Sequence, residues 1–319
     1  MHSEKRIVFF ASPLQMNQSN PAATQDLPIE KKQTSNSKLS DYIQFVKLRL
    51  ATLVVMSAAF CFILASDTVD YTKLFFLVIG GFLVTASSNG FNQIIERDLD
   101  KLMSRTSNRP LPAGRMGLNE AYAIALITGI AGIAILWFLL NPLSGLLAMV
   151  ALFLYVLVYT PLKLKTPFAV FVGAFPGAFP PMLGWIAYTN NITTIEPWIL
   201  FAVQFMWQFP HFWAIAWVLD EDYKKAGFQM LPSAGGRDKS TAFQVLVYTL
   251  FLVPISLTPV FFHMSGSISA VIISICGILF SLQAIKLFRT CTVKAAQQLM
   301  FGSFVYLPVV QLALVFDKI

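Results

Sequence analysis

Long apolar stretches separated by short polar joints organise almost the whole chain. They run over 45–65, 73–96, 118–140, 143–160, 167–189, 197–219, 242–262, 267–288 and 295–316. Each is long enough, at about 1.5 Å per helical residue, to cross a hydrocarbon layer roughly 30 Å thick. Sustained alternation of period two, the mark of a membrane β-barrel, is absent. The pattern predicts an all-α polytopic membrane protein with nine transmembrane helices. Residues 1–38 are polar and rich in Ser, Asn and Gln, and are expected to be a disordered tail ahead of a nine-helix domain over 39–319.

Composition agrees: the chain is 56% hydrophobic and only 12% charged, with mean hydropathy +0.66. A soluble domain has no use for so much apolar side chain, so lipid is the expected solvent. The net charge of +7 does not point to nucleic acid, because the Lys and Arg residues are sorted by side. They occupy the N-terminal region and the joints after the second, fourth, sixth and eighth spans. The opposite joints (SDTVDYTK, NP, TNNITTIE, HMSGS) carry only Lys73, and the C-terminal tail adds Lys318. Such sorting predicts a cytoplasmic or matrix-side N-terminus, a C-terminus on the opposite side (periplasmic in a bacterium) and an odd number of spans. The N-terminal segment has acidic residues (Glu4, Asp26, Glu30) that do not suit a transit peptide. A bacterial inner membrane is therefore expected, with the mitochondrial inner membrane as the alternative. Cys61, Cys276 and Cys291 have no ligand spacing and read as small apolar packing residues.

The candidate chemistry begins at the end of the second span. In NQIIERDLD, Asn92, Glu96 and Asp100 recur every four residues, which stacks them along one helix face. Carboxylates at the rim of a span are costly unless something cationic sits on them. A hydrated divalent metal carrying a phosphate fits, since Mg²⁺ favours a few carboxylate oxygens, water and phosphate over a closed protein cage. Arg105 and Arg109 follow, with the planar fork that grips phosphate. Lys163, at the end of the fourth span in YTPLKLKT, can reach a phosphate or snorkel to the interface.

The joint after the sixth span echoes the one after the second. DLDKLMSRTSNRPLPAGR (Asp98 to Arg115) and DEDYKKAGFQMLPSAGGR (Asp220 to Arg237) share an Asp-x-Asp start and a Leu-Pro…Gly-Arg close. A repeat four spans long keeps its orientation, so both acidic joints face one compartment and frame one site. Asp222 is the preferred ligand from the second joint. His211, in QFPHFWAIAW, sits among Trp207, Phe209, Phe212, Trp213 and Trp217. It reads as a general base, a polar anchor or a haem contact, or as a packing residue. The fifth span carries Pro167, Pro176, Pro180 and Pro181, with Gly173 and Gly177 spaced by four. Such a span survives against protein or a wet cavity.

At NQIIERDLDKLMSRTSNRPLP, YTPLKLKTP, QFPHFWAIAW and DEDYKKAGFQMLP the chain resembles the UbiA-type intramembrane prenyltransferases, over about 45–316. Within them it is similar to the haem-modifying branch. The resemblance implies nine helices around a central cavity, with Asn92, Glu96, Asp100 and Asp222 holding Mg²⁺ and Arg105, Arg109 and Lys163 holding a diphosphate. Many relatives have a further Asp eleven positions before Asp222. His211 stands there in this chain, as in the haem-modifying branch. The implied reaction joins the farnesyl group of farnesyl diphosphate to a vinyl of haem B (protohaem IX), with water addition, to give haem O and pyrophosphate. A partner in haem A synthesis or oxidase assembly is implied too. A phenolic acceptor, as in quinone biosynthesis, and a non-catalytic transporter remain the competing readings.

Overall fold

The computed structural model describes residues 37–319, so the tail expected over 1–38 lies outside the described residues except for its last two positions. Among the described residues nine helices are long and apolar enough to span a membrane. They are Leu48–Ala65, Tyr71–Ile95, Leu118–Leu140, Pro142–Leu162, Ala169–Thr189, Glu196–Val218, Lys239–Phe261, Ser267–Thr290 and Val293–Phe316. The protein is a multi-pass integral membrane protein. Large apolar side chains such as Ile130, Phe138, Phe251 and Phe261 project outward from it, as a lipid-facing surface requires.

The start of the first span differs from expectation. An amphipathic helix, Lys38–Val46, comes first, and the span begins only at Leu48. Lys47 breaks the two with φ +51°, a left-handed conformation that leaves the carbonyls at the end of the first helix without helical donors. The second span satisfies two of them. Gln93 Nε2 donates to Phe45 O at 2.5 Å and Asn89 Nδ2 to Val46 O at 3.1 Å. Arg115 then closes the entry by binding Asp41 at 2.8 Å.

The spans pack as two adjoining rings. The first span touches the second, the second packs along the third, the fourth leans on the fifth, and the fifth returns to the first. The sixth to ninth spans close a second ring, and the fifth–sixth and ninth–first contacts join the two. The fifth and sixth spans are the most enclosed of the nine.

Proline explains two local departures. Pro161 has no N–H for the carbonyl four residues back, and the fourth span widens into π-helical turns over Leu154–Tyr159 just before it. Thr160 donates twice to Tyr155 O at the end of those turns, from its backbone N–H and from Oγ1 at 2.8 Å. In the fifth span Pro181 leaves Gly177 O without its helical donor, and Gln204 Nε2 of the sixth span takes it at 2.7 Å. Gln208 Nε2 donates to Ala174 O at 2.9 Å one turn along. Pro176 and Pro180 line the cavity, so the proline-rich span lies between protein and that cavity, with Gly177 O met by a neighbouring helix.

Candidate active site

A cavity of about 540 Å³ opens among the spans. Its far wall is apolar, lined by residues such as Val55, Val84, Leu136, Leu147 and Leu183. Asn92, Glu96, Asp100, Arg105, Arg109 and Lys163 line its polar end. The second span stops at Ile95, Glu96 takes φ −93° and ψ 6°, and a helical turn runs from Arg97 to Asp100. Asp100 N still reaches Glu96 O at 2.7 Å, so the spacing of four persists across the break. Both carboxylates are buried.

Each acid meets a base. Glu96 contacts the Lys163 ammonium, and Asp100 Oδ2 accepts from Arg109 Nη1 at 2.7 Å. Lys163 is held over the rings of Tyr159, 4.9 Å from the centroid, and Phe228, 5.4 Å away. The second joint covers it, Gln229 N donating to Lys163 O at 3.1 Å. Gly173 makes room here, because a Cβ would fall 2.6 Å from the Tyr159 ring. Burial pushes the Asp100 carboxyl above its usual range, against the pull of Arg109.

The pattern of the sequence did not reveal Lys47. Its Nζ donates to Asn92 Oδ1 at 3.3 Å, and it lines the same polar end. Burial, with help from the charges of Arg109 and Lys163, lowers its pKa to about 7. Tyr155, Tyr159, Tyr223 and Phe228 also line the cavity unforeseen. The π-helical turns and the fold of the second joint bring them there, and neither has a local sequence signal.

Asp222 stands apart from the others because it does not line the cavity. Ser104 Oγ lies 2.9 Å from both its oxygens, Arg105 N donates at 3.3 Å, and Lys225 Nζ lies 3.0 Å away. Lys225 and Ser104 together pull its carboxyl down to about 2. The residue pins one acidic joint to the other, directly beside Arg105. Arg237 secures the second joint from below, donating to Trp217 O at 2.7 Å and to Glu221 at 2.9 Å.

His211 lines the cavity from the sixth span, about two and a half turns before Asp220. The end with carboxylates and cations suits a hard cation that itself carries phosphate. Asp100 Oδ1 is buried without a hydrogen-bond partner. No three His, Cys, Asp or Glu side chains gather into a closed cage among the described residues. An open donor set of this kind leaves coordination positions for water and substrate oxygens.

Among the described residues, nine spans with a basic, carboxylate-bearing mouth over an apolar chamber form a bundle suited to a molecule with an anionic head and a greasy tail. The model of the UbiA prenyltransferase family matches residues 53–307, and the chain belongs to that family. The protoheme IX farnesyltransferase of Cytophaga hutchinsonii is 52% identical over 89% of this chain and 99% of its own length. That of Christiangramia forsetii is 48% identical over 89% of this chain and 95% of its own. A UbiA homolog from Archaeoglobus fulgidus, solved with GPP and Mg²⁺, shares the fold at TM-score 0.62 and 12% identity, over 86% of this chain and 99% of that one.

Proposed function

We propose that the protein transfers the farnesyl group of farnesyl diphosphate to a vinyl group of protohaem IX, giving haem O and pyrophosphate. The observation that carries this reading is the pairing of Glu96 with Lys163 and of Asp100 with Arg109 at the mouth of an apolar chamber. The two bacterial relatives described above support the acceptor, since both are named protoheme IX farnesyltransferase.

Arg105, Arg109, Lys163 and Lys47 receive the diphosphate and hold it at the polar end. Asn92, Glu96 and Asp100 are the side chains that would hold Mg²⁺ beside it. Asp222 would complete that set only by releasing Ser104 and Lys225, and otherwise acts by fixing Arg105. Bound magnesium would supply the positive charge that offsets the charge developing on the departing diphosphate. The allylic C–O bond breaks with its electron pair going to the diphosphate. The apolar walls keep water from the resulting cation while the farnesyl chain lies against them. The vinyl carbon of the porphyrin forms the new C–C bond. Water then adds at the carbon next to the ring and loses a proton, leaving the hydroxyl.

The sorting of Lys and Arg supports an N-terminus and a C-terminus on opposite sides of the membrane, and the acidic residues of the N-terminal segment favour a bacterial inner membrane, with the N-terminus in the cytoplasm and the C-terminus in the periplasm. The deciding experiment gives purified protein farnesyl diphosphate, Mg²⁺ and either haem B or 4-hydroxybenzoate. Haem O by mass, with matching pyrophosphate release abolished by EDTA, is the expected result. A prenylated phenol would move the protein to quinone biosynthesis, and no pyrophosphate with either acceptor would leave a transporter.

A further inference from the structure

His211 Nδ1 lies 2.8 Å from Ser303 Oγ, and that hydroxyl lies 2.6 Å from Met300 O. A carbonyl can only accept, so the single hydroxyl proton of Ser303 goes to Met300 O. Ser303 Oγ must then accept from His211, which puts the imidazole proton on Nδ1. Nε2 is left as a bare lone pair, and no hydrogen bond reaches it from the described residues.

The ring is held rigidly. It stacks on Trp207 with centroids 4.3 Å apart and planes 19° apart, and Phe304 closes on it edge-on at 5.2 Å. Trp207 is itself anchored to the same residue, its Nε1 donating to Ser303 O at 3.0 Å. Trp207, His211 and Phe304 all line the cavity, and His211 sits about two and a half turns along its span from the joint that begins at Asp220. An imidazole with one nitrogen committed to an acceptor and the other free is the arrangement that metal-ligating histidines adopt. In an apolar chamber a lone pair with no donor calls for a Lewis acid, and the acceptor of the reaction carries one at its centre.

We propose that His211 ligates the iron of the bound porphyrin through Nε2, with Ser303 fixing the tautomer. The inference rests on the reading of haem as acceptor. It gives the chamber two anchors, one for the diphosphate at the mouth and one for the iron inside, and so sets which part of the porphyrin can meet the allylic carbon.

The test binds ferric and ferrous haem B to the purified protein without farnesyl diphosphate, and records absorption and resonance Raman spectra. Expected are an iron–histidine stretch in the ferrous form, its loss in His211→Ala, and its recovery in His211→Gly on adding imidazole. Ser303→Ala should keep haem bound but lower the stretching frequency, since Nδ1–H loses its acceptor. Metal-free protoporphyrin IX separates ligation from packing. The wild type should bind it at least about tenfold more weakly than haem, and His211→Ala should bind both alike.

An iron–histidine signal that survives in His211→Ala overturns the proposal. Unchanged iron spectra with lost turnover overturn it too, in favour of a proton-transfer role. If His211→Ala does not fold, the wild-type preference for haem over the metal-free porphyrin and the Ser303→Ala shift decide. Should the wild type neither bind nor farnesylate haem, the acceptor reading itself fails; farnesylation with no iron–histidine signal sinks this inference alone.

Discussion

Replacing Glu96 by Gln removes one charge from the polar end while keeping the shape of the side chain. Glu96 is buried, its side chain 7% exposed, and faces a Lys163 side chain that is only 10% exposed. Water therefore screens the pair little, and the carboxylate serves the leaving diphosphate only through cations, by placing the Lys163 ammonium and by the Mg²⁺ it would hold. Loss of one preorganised electrostatic group in such a site costs about 2.7–4 kcal/mol of transition-state stabilisation, or roughly 10²–10³ in kcat. The fold should lose less, about 2 kcal/mol, because the amide oxygen still offers Lys163 an acceptor. The assay measures pyrophosphate release and haem O by mass at saturating farnesyl diphosphate and Mg²⁺, beside a thermal unfolding transition. Glu96→Asp, which restores the charge one methylene shorter, should recover part of the rate. A Glu96→Gln protein that unfolds normally and turns over within about threefold of wild type would refute the electrostatic reasoning.

Lys163→Met should lower kcat/KM for farnesyl diphosphate by about 10–100-fold, in line with a lost charged hydrogen bond of about 1.5–3 kcal/mol, and a kinetic titration checks it. Asp222→Asn should loosen the joint around Ser104 and Arg105, seen as faster amide exchange there. The Asp222 carboxyl is depressed to about 2, so its contribution is present above the ordinary carboxylate range and lost only as pH falls through about 2; exchange in the wild type should stay slow across that range. Gly184→Ala places a Cβ against the backbone of the first span at Ala58 O and Phe62 N. It should cost about 1–3 kcal/mol of stability, read from the thermal transition in detergent.

The number and extent of the spans were legible because hydropathy over some twenty residues is a local property. So was the line of Asn92, Glu96 and Asp100, because a spacing of four survives the break at Glu96. Lys47 was not, since its place depends on its own left-handed backbone and on carbonyls met by side chains 43 and 48 residues further on. Tyr155 and Tyr159 owe their direction to π-helical turns that straight helical periodicity does not foresee. Asp222 shows the limit of the repeat. The two joints match in residue order, yet the second carboxylate spends its oxygens on Ser104, Arg105 and Lys225. For His211, the residue was visible in sequence, but its tautomer became readable only once Ser303 and Met300 lay beside it.

Gly177 O reaches sideways to Gln204 because Pro181 withholds the proton that would have kept that carbonyl inside its own helix. Restoring the amide with Pro181→Ala would let the helix reclaim its oxygen and leave the glutamine tied only to Ser57 and Gln311. In lipid, where apolar helices have little reason to prefer one another, an imino acid thus becomes a fastening. What looks like damage to one helix is how the bundle tells its neighbour where to stand.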